Sequence, residues 1–254
     1  VALLLGAAAF VAARKRKGDL FLPLVAVGLG LGGTALWVWL SASYLADYIP
    51  ARERAVMDQL RKLYLAQEGF RKKCVVDQDE DGVGEFGLLY EMAGGEKVRC
   101  EGGLKDSSLS GKGFLSHTFR VISKYGYGEK YGYYFYVFLP GKDGWAEPVF
   151  DTHRAPLPGD RAVANNQERF WRAFAWPYSR DRSGRRVFYI DQSGVLYASD
   201  NRSQGYDGIA KMPQPWEVND RSHRAPKSLE APVAMIQEGC LPVHGGTWER
   251  VVKK

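Results

Sequence analysis

FAWPYSRDRSGRRVFYIDQSGVLYASDN, residues 174–201, is the stretch on which the fold turns. Within it RRVFYID and VLYAS are short runs of aromatic and β-branched residues separated by Gln192-Ser193-Gly194, a pattern that predicts a hairpin. Just upstream, RFWRAFAWP at 169–177 predicts another strand, although NNQERFWRAF has the makings of a helix start. Earlier still, HTFRVISK at 117–124 and YGYYFYVFL at 131–139 flank a turn containing Gly126 and Gly128, which predicts a first hairpin. Before these strands lies ARERAVMDQLRKLYLAQEGFRKK, where Val56, Leu60, Leu63, Tyr64 and Gln67 recur with helical spacing and Asp58 stands four residues before Lys62. The expected domain is therefore α+β: an amphipathic helix covering one face of an antiparallel sheet of about five strands, over residues 51–201. Residues 202–254 carry Pro213, Pro215, Pro226, Pro232 and Pro242 and read as a polar extension that wraps the domain.

The N-terminal end has a different character. LFLPLVAVGLGLGGTALWVWLSA, residues 20–42, carries no charge. As a helix rising about 1.5 Å per residue it would extend roughly 34 Å, slightly more than a hydrocarbon core of about 30 Å. Trp37, Trp39 and Tyr44 sit near one end and Arg14-Lys15-Arg16-Lys17 precede the other, as expected of a transmembrane helix with its basic end in the cytoplasm. A cleaved signal peptide fits the basic flank but not the length. Residues 1–13 form a second apolar stretch, read as part of a further span, which makes 14–19 a short cytoplasmic loop and places everything after Ala42 outside the cytoplasm. Pro50 is expected to separate the membrane helix from the amphipathic one.

Charge adds little beyond topology. The 254-residue chain has a formal net charge of +6, with 45% hydrophobic and 25% charged residues, a composition that excludes disordered, collagenous and disulfide-dense classes. Four of the basic residues are Arg14 to Lys17, so the excess on the remainder is too small to point to nucleic acid. Alternating aromatics at 125–138 read as strand packing and not as a base-stacking platform. Of three cysteines, Cys74 and Cys100 form the simplest disulfide, with Cys240 left over; reduced, buried thiols are the other reading.

The strongest chemical signal is Asp77-Gln78-Asp79-Glu80-Asp81-Gly82-Val83-Gly84-Glu85. Asp77, Asp79 and Asp81 match positions 1, 3 and 5 of a calcium loop, Gly82 is the turn glycine, the Val83 carbonyl falls at position 7 and Glu85 at 9. Position 12 is Leu88, so the bidentate glutamate is missing and the loop by itself predicts a weak calcium site. A solvated acidic turn is the competing reading. Gly82-x-Gly84-x-x-Gly87 matches a dinucleotide fingerprint in form, but three upstream aspartates would repel a pyrophosphate. His117, His153, His223 and His244 are far apart, and no serine sits in a G-x-S-x-G elbow, so no catalytic residues are assigned.

AVMDQLRKLYLAQEGFRKK, DQDEDGVGEFGLLYEMAG, YGYYFYVFLPG and FAWPYSRDRSGRRVFYIDQSGVLYASDN occur in the order seen in bacterial pilin-like or pseudopilin-like extracytoplasmic domains, which this chain resembles over roughly 51–201. The resemblance implies a pilin-like fold on an N-terminal anchor in the bacterial inner membrane, with a periplasmic domain and a non-enzymatic role. The expected function is that of a structural or interaction subunit of a cell-envelope assembly. Its partners would be the lipid bilayer and other membrane or pilin-like envelope proteins, in a homo- or hetero-oligomer. Two alternatives accompany it: a true pilin or minor pseudopilin of a type IV pilus or secretion filament, and a calcium-dependent extracytoplasmic binding module or enzyme.

Overall fold

The computed structural model describes residues 21–101, 103–109, 112–123, 126–141, 161–202, 205–214 and 248–251. The expectations for 1–13 and 14–19, for Cys240 and for most of the C-terminal extension lie outside the described residues. The chain divides into two units, 1–48 and 49–254. In the first, the backbone is helical from Phe21 onward; apart from Thr34 and Tyr48, its side chains are outside the description. Among the residues whose side chains are described, which leave out 21–33 and 35–47, no helix is long and apolar enough to cross a membrane.

Helix α1 runs from Phe21 to Lys72 without a break. Pro50 lies inside it, so the expected separation at this residue is corrected. An internal proline forfeits one backbone hydrogen bond, at a cost of about 3 kcal/mol. On either side the helix is held in place by buried Ile49 and by buried Glu53, which is paired with Arg186 and two backbone amides. In the second unit the helix buries Val56, Leu60, Leu63, Ala66 and Phe70 together in one core cluster. This is the face read from the sequence, and Gln67 on it is buried too. The Gln67 amide spans the Gly87 backbone like a strand partner: Nε2 donates to the Gly87 carbonyl at 2.8 Å and Oε1 accepts from the Gly87 amide at 2.8 Å. Asp58 pairs with Arg61 at 2.9 Å, one residue nearer than the expected Lys62. Cys74, at φ 46°, turns the chain out of the helix, its amide donating to Arg71 O at 3.0 Å.

The rest is antiparallel sheet with short helices. After α2 (Leu89–Met92) come β1 (Lys97–Cys100) and β2 (Gly103–Asp106), a separate two-stranded hairpin. Then β3 (Gly128–Lys130), β4 (Tyr133–Phe138), β5 (Arg172–Pro177), β6 (Val187–Asp191), β7 (Tyr197–Ser199) and β8 (Trp248–Arg250) form a six-stranded sheet in chain order, with α3 (Arg161–Gln167) before β5. The α+β class with an antiparallel sheet is as expected, and the β6–β7 hairpin falls where VFYID and VLYAS place it. HTFRVISK is not a strand: His117–Arg120 is a 3-10 turn and only Ile122 bridges to Gly128. A strand would put Phe119 and Val121 on one face, yet Phe119 is buried and Val121 is 81% exposed. The C-terminal extension does more than wrap, since β8 pairs with β7 (Ala198 opposite Glu249).

Strand alternation gives the sheet two different faces. Toward α1 lie Phe135, Val137, Ala173, Ala175, Phe188, Ile190 and Ala198. On the other face Tyr136, Phe138, Phe174, Trp176, Tyr189, Tyr197 and Trp248 form a second, aromatic cluster joined by Tyr206 and partly by Met212. Glu53 of α1 locks the β5–β6 turn to the helix, accepting from the Arg185 and Arg186 amides at 3.0 and 3.1 Å and from Arg186 Nε at 2.7 Å. Gly184 in that turn is obligatory, because a Cβ would lie 1.9 Å from the Tyr133 hydroxyl.

Candidate metal centre

The acidic loop begins where α1 ends. Gly84 presses it against the helix terminus so closely that a Cβ there would stand 2.3 Å from the Arg71 carbonyl oxygen, and Gly82 takes the left-handed conformation at φ 86°. The glycines that imitate a nucleotide fingerprint thus serve loop packing. Two side chains hold the loop's own backbone: Asp77 Oδ2 accepts the Gly82 amide at 3.1 Å, and Asp81 Oδ1 accepts the Val83 amide at 2.8 Å. Asp77, Asp79 and Asp81 each offer a carboxylate oxygen, all three within 4.8 Å of one another. Val83 is exposed and Glu85 fully buried.

Glu85 is fixed by its surroundings. Its Oε1 accepts the Gln78 amide at 2.8 Å, and its own amide donates to the Val76 carbonyl at 3.1 Å. Gln78 Nε2 donates to Gln167 Oε1 at 3.1 Å, which ties the loop to the end of α3. Gln167 is also held by its Nε2 donating to Pro140 O at 2.9 Å and by Arg99 Nη1 donating to its Oε1. Arg99 in turn is buried against Glu91, with Nε 2.9 Å from Oε1.

That network brings in a carboxylate the sequence does not advertise. Glu168, the residue after α3, is buried and lies within electrostatic reach of Asp77, Asp79, Asp81 and Glu85, outside the group of three aspartate oxygens. It lies 83 positions beyond Glu85, outside any local motif. Burial first, and then the negative charges of Asp81, Asp79, Glu85 and Asp77, push its carboxyl up to about 7. Burial also raises Glu85, against the Gln78 amide and the nearby Arg99 charge. Arg161, with Nε 3.7 Å from Asp79 Oδ2, is a largely exposed counterion.

The raised Glu168 carboxyl gives a pH dependence of definite sign. An unfolded glutamate releases its proton near 4.5, whereas the folded one keeps it to about 7. Between those values the folded state binds more protons, so stability falls as pH rises through that window and levels off above it. Melting temperatures in chelator from pH 4.5 to 8 check this, and Glu168→Gln should flatten that part of the profile. An unchanged profile in the variant contradicts the assignment.

The Cys74–Cys100 pairing is corrected: both are free thiols. Cys74 is exposed at the helix end, its Sγ 3.4 Å from the Gly82 carbonyl oxygen, while Cys100 closes β1 opposite Gly103. The two belong to different local structures, so bracketing one segment in sequence does not bring them together in a bond. Comparison of this chain with protein-family models, with curated proteins and with solved structures finds no match.

Proposed function

We propose that this chain is a membrane-tethered, extracytoplasmic pilin-like protein that serves as a non-enzymatic structural or interaction subunit of a bacterial cell-envelope assembly. One observation carries the reading: a single helix, Phe21–Lys72, joins the uncharged apolar sequence at 20–42 to the core of an α+β domain. At about 1.5 Å per residue, the uncharged residues 20–42 would extend roughly 34 Å as helix, enough for a hydrocarbon core of about 30 Å. The basic run Arg14 to Lys17 sets the orientation, with the domain on the outer side. Continuity through Pro50 favours a second reading as well, a filament-forming pilin or minor pseudopilin, since such subunits carry one helix from apolar segment to domain.

The test is crosslinking of the full chain in spheroplasts with a membrane-impermeant, amine-reactive reagent. Discrete adducts of higher mass are expected without lysis. A chain that reacts only after lysis overturns the orientation, and one that stays monomeric overturns the subunit role. Mass analysis of the mature N-terminus separates the two readings, because removal of Arg14 to Lys17 accompanies only the filament subunit.

A further inference from the structure

We propose that Arg52, Arg54, Arg180, Arg182, Arg185 and Arg186 form a surface that docks on anionic phospholipid headgroups of the membrane to which this domain is tethered. The inference rests on the tethered reading above and deepens it, from a helix that keeps the domain near a bilayer to a face of the domain that engages it.

The charge of the domain is concentrated in one place. Residues 51–254 hold 31 basic and 27 acidic residues, a net charge of +4. Residues 51–54 and 180–186 set the six arginines against Glu53 and Asp181 alone, so these two short segments carry the whole excess. The fold brings them together. Glu53 of α1 accepts from the Arg185 and Arg186 amides and from Arg186 Nε in the β5–β6 turn. A Cβ on Gly132 would meet Arg52 Nη1 at 2.5 Å and Ser183 Cβ at 3.1 Å, which sets the Arg52 guanidinium against the same turn.

The acids within this surface do not neutralise it. Glu53 is buried and committed to Arg186 and the two amides. Asp181 is exposed and shared between Arg180 at 3.9 Å and Arg185 at 3.4 Å, and such solvent-exposed pairs hold little. Asp207 accepts the Arg180 amide at 2.9 Å, but its backbone bridge to Lys211 brings a positive residue opposite it. Arg54 and Arg182 are exposed and make no ion pair among the described residues.

Location and chemistry select the partner. The second unit begins at Ile49, so Arg52 and Arg54 are among its first residues. Only residues 43–48 separate it from the apolar stretch ending at Ala42, and at a maximum of about 3.6 Å per residue the entry lies within roughly 25 Å of that end. The tether therefore keeps the arginines near headgroups at all times. Guanidinium forks grip phosphate oxygens in pairs, and each basic residue close to an anionic surface strengthens association about fivefold. An acidic face on another protein would also attract arginines, but the chain itself does not hold one beside them.

The full chain is reconstituted into vesicles of phosphatidylcholine, with or without phosphatidylglycerol, and the vesicles are floated through a density gradient. The floated protein is treated with phenylglyoxal, a membrane-permeant arginine reagent, and the rate at each arginine is read by peptide mass analysis. With phosphatidylglycerol, Arg54, Arg182 and Arg185 should react at least about threefold more slowly than in phosphatidylcholine. Arg161, largely exposed beside Asp79 and beyond the far end of α1, should react alike in both. The protection should vanish in ~1 M sodium chloride, where the Debye length falls to about 3 Å. The double replacement Arg182→Gln with Arg185→Gln should float as the parent does, keep its Tm in phosphatidylcholine, and lose at least about half of the protection at Arg54. Rates equal in the two lipids and as fast as that of Arg161 overturn the docking surface while flotation leaves the tether standing. Equally slow rates in both lipids assign the cover to another protein and overturn the choice of lipid. A chain that floats with neither lipid overturns the tether, and this surface with it.

Discussion

Replacing Arg99 with methionine should destabilise the domain by about 3–5 kcal/mol, the usual result of removing one partner from a buried ion pair. Arg99 is 1% exposed, and its guanidinium serves Glu91, Gln167 and the Phe86 carbonyl together. Without it Glu91 keeps only two amides, those of Leu88 at 2.8 Å and residue 99 at 3.0 Å, for a carboxylate that is 3% exposed. These remaining donors place the loss toward the lower end of the range. Against a typical domain stability of about 5–15 kcal/mol the effect is large. Urea denaturation read by tryptophan fluorescence measures it. The double replacement Arg99→Met with Glu91→Leu should recover much of the loss, because no unpaired charge is then left buried. A single-variant loss below about 1 kcal/mol would mean that the pair is not desolvated in solution.

Trp176→Ala should cost a comparable amount, about 3–5 kcal/mol. The ring is fully buried on the aromatic face of the sheet, 5.6 Å from Tyr134 and 6.4 Å from Tyr127 between centroids. Its Nε1 donates to the Gly208 carbonyl at 2.8 Å, so the same side chain also holds the start of the C-terminal segment to the sheet. Trp176→Phe keeps most of the apolar contact and loses that hydrogen bond, and should cost about 1–2 kcal/mol by comparison. Denaturation midpoints of the two variants separate packing from hydrogen bonding. Equal losses would show that the indole N–H, and not the ring volume, is what the site requires.

Much of the architecture was legible because its signals are periodic. Val56, Leu60, Leu63 and Gln67 recur at helical spacing and are buried together. In β4 the alternation is aromatic on both faces, with Phe135 toward α1 and Tyr136 away, so residue type alone marked the strand but not its two-sided burial. Short elements were less visible. Strand β8 has three residues and owes its existence to pairing with β7, a tertiary event that leaves no local pattern. The 3-10 turn at His117–Arg120 misled because Phe119 and Val121 suit a strand in composition while facing opposite environments. Pro50 misled because it forfeits only one backbone hydrogen bond, while the helix on either side is held by buried Ile49 and by Glu53 paired with Arg186 and the Arg185 and Arg186 amides.

The acidic loop shows the same division. Asp77, Asp79, Asp81 and Gly82 were legible from spacing, since a tight loop needs those residues at those positions. Glu168 was not, for it belongs to no local motif and feels the loop's charges only because Gln167 beside it docks against Phe86, Gln78 and Arg99. In sequence, Arg99 and Glu91 look like ordinary surface charges. Nothing local distinguishes a buried pair from a solvated one.

The proposed tether, in which the helix carries this domain on a membrane, is tested most directly by alkaline carbonate extraction. Membranes from cells expressing the full chain are washed at pH ~11 and separated by centrifugation, beside a variant lacking residues 21–42. The full chain should remain in the membrane pellet and the shortened one should move to the soluble fraction. A full chain released by carbonate would contradict the account.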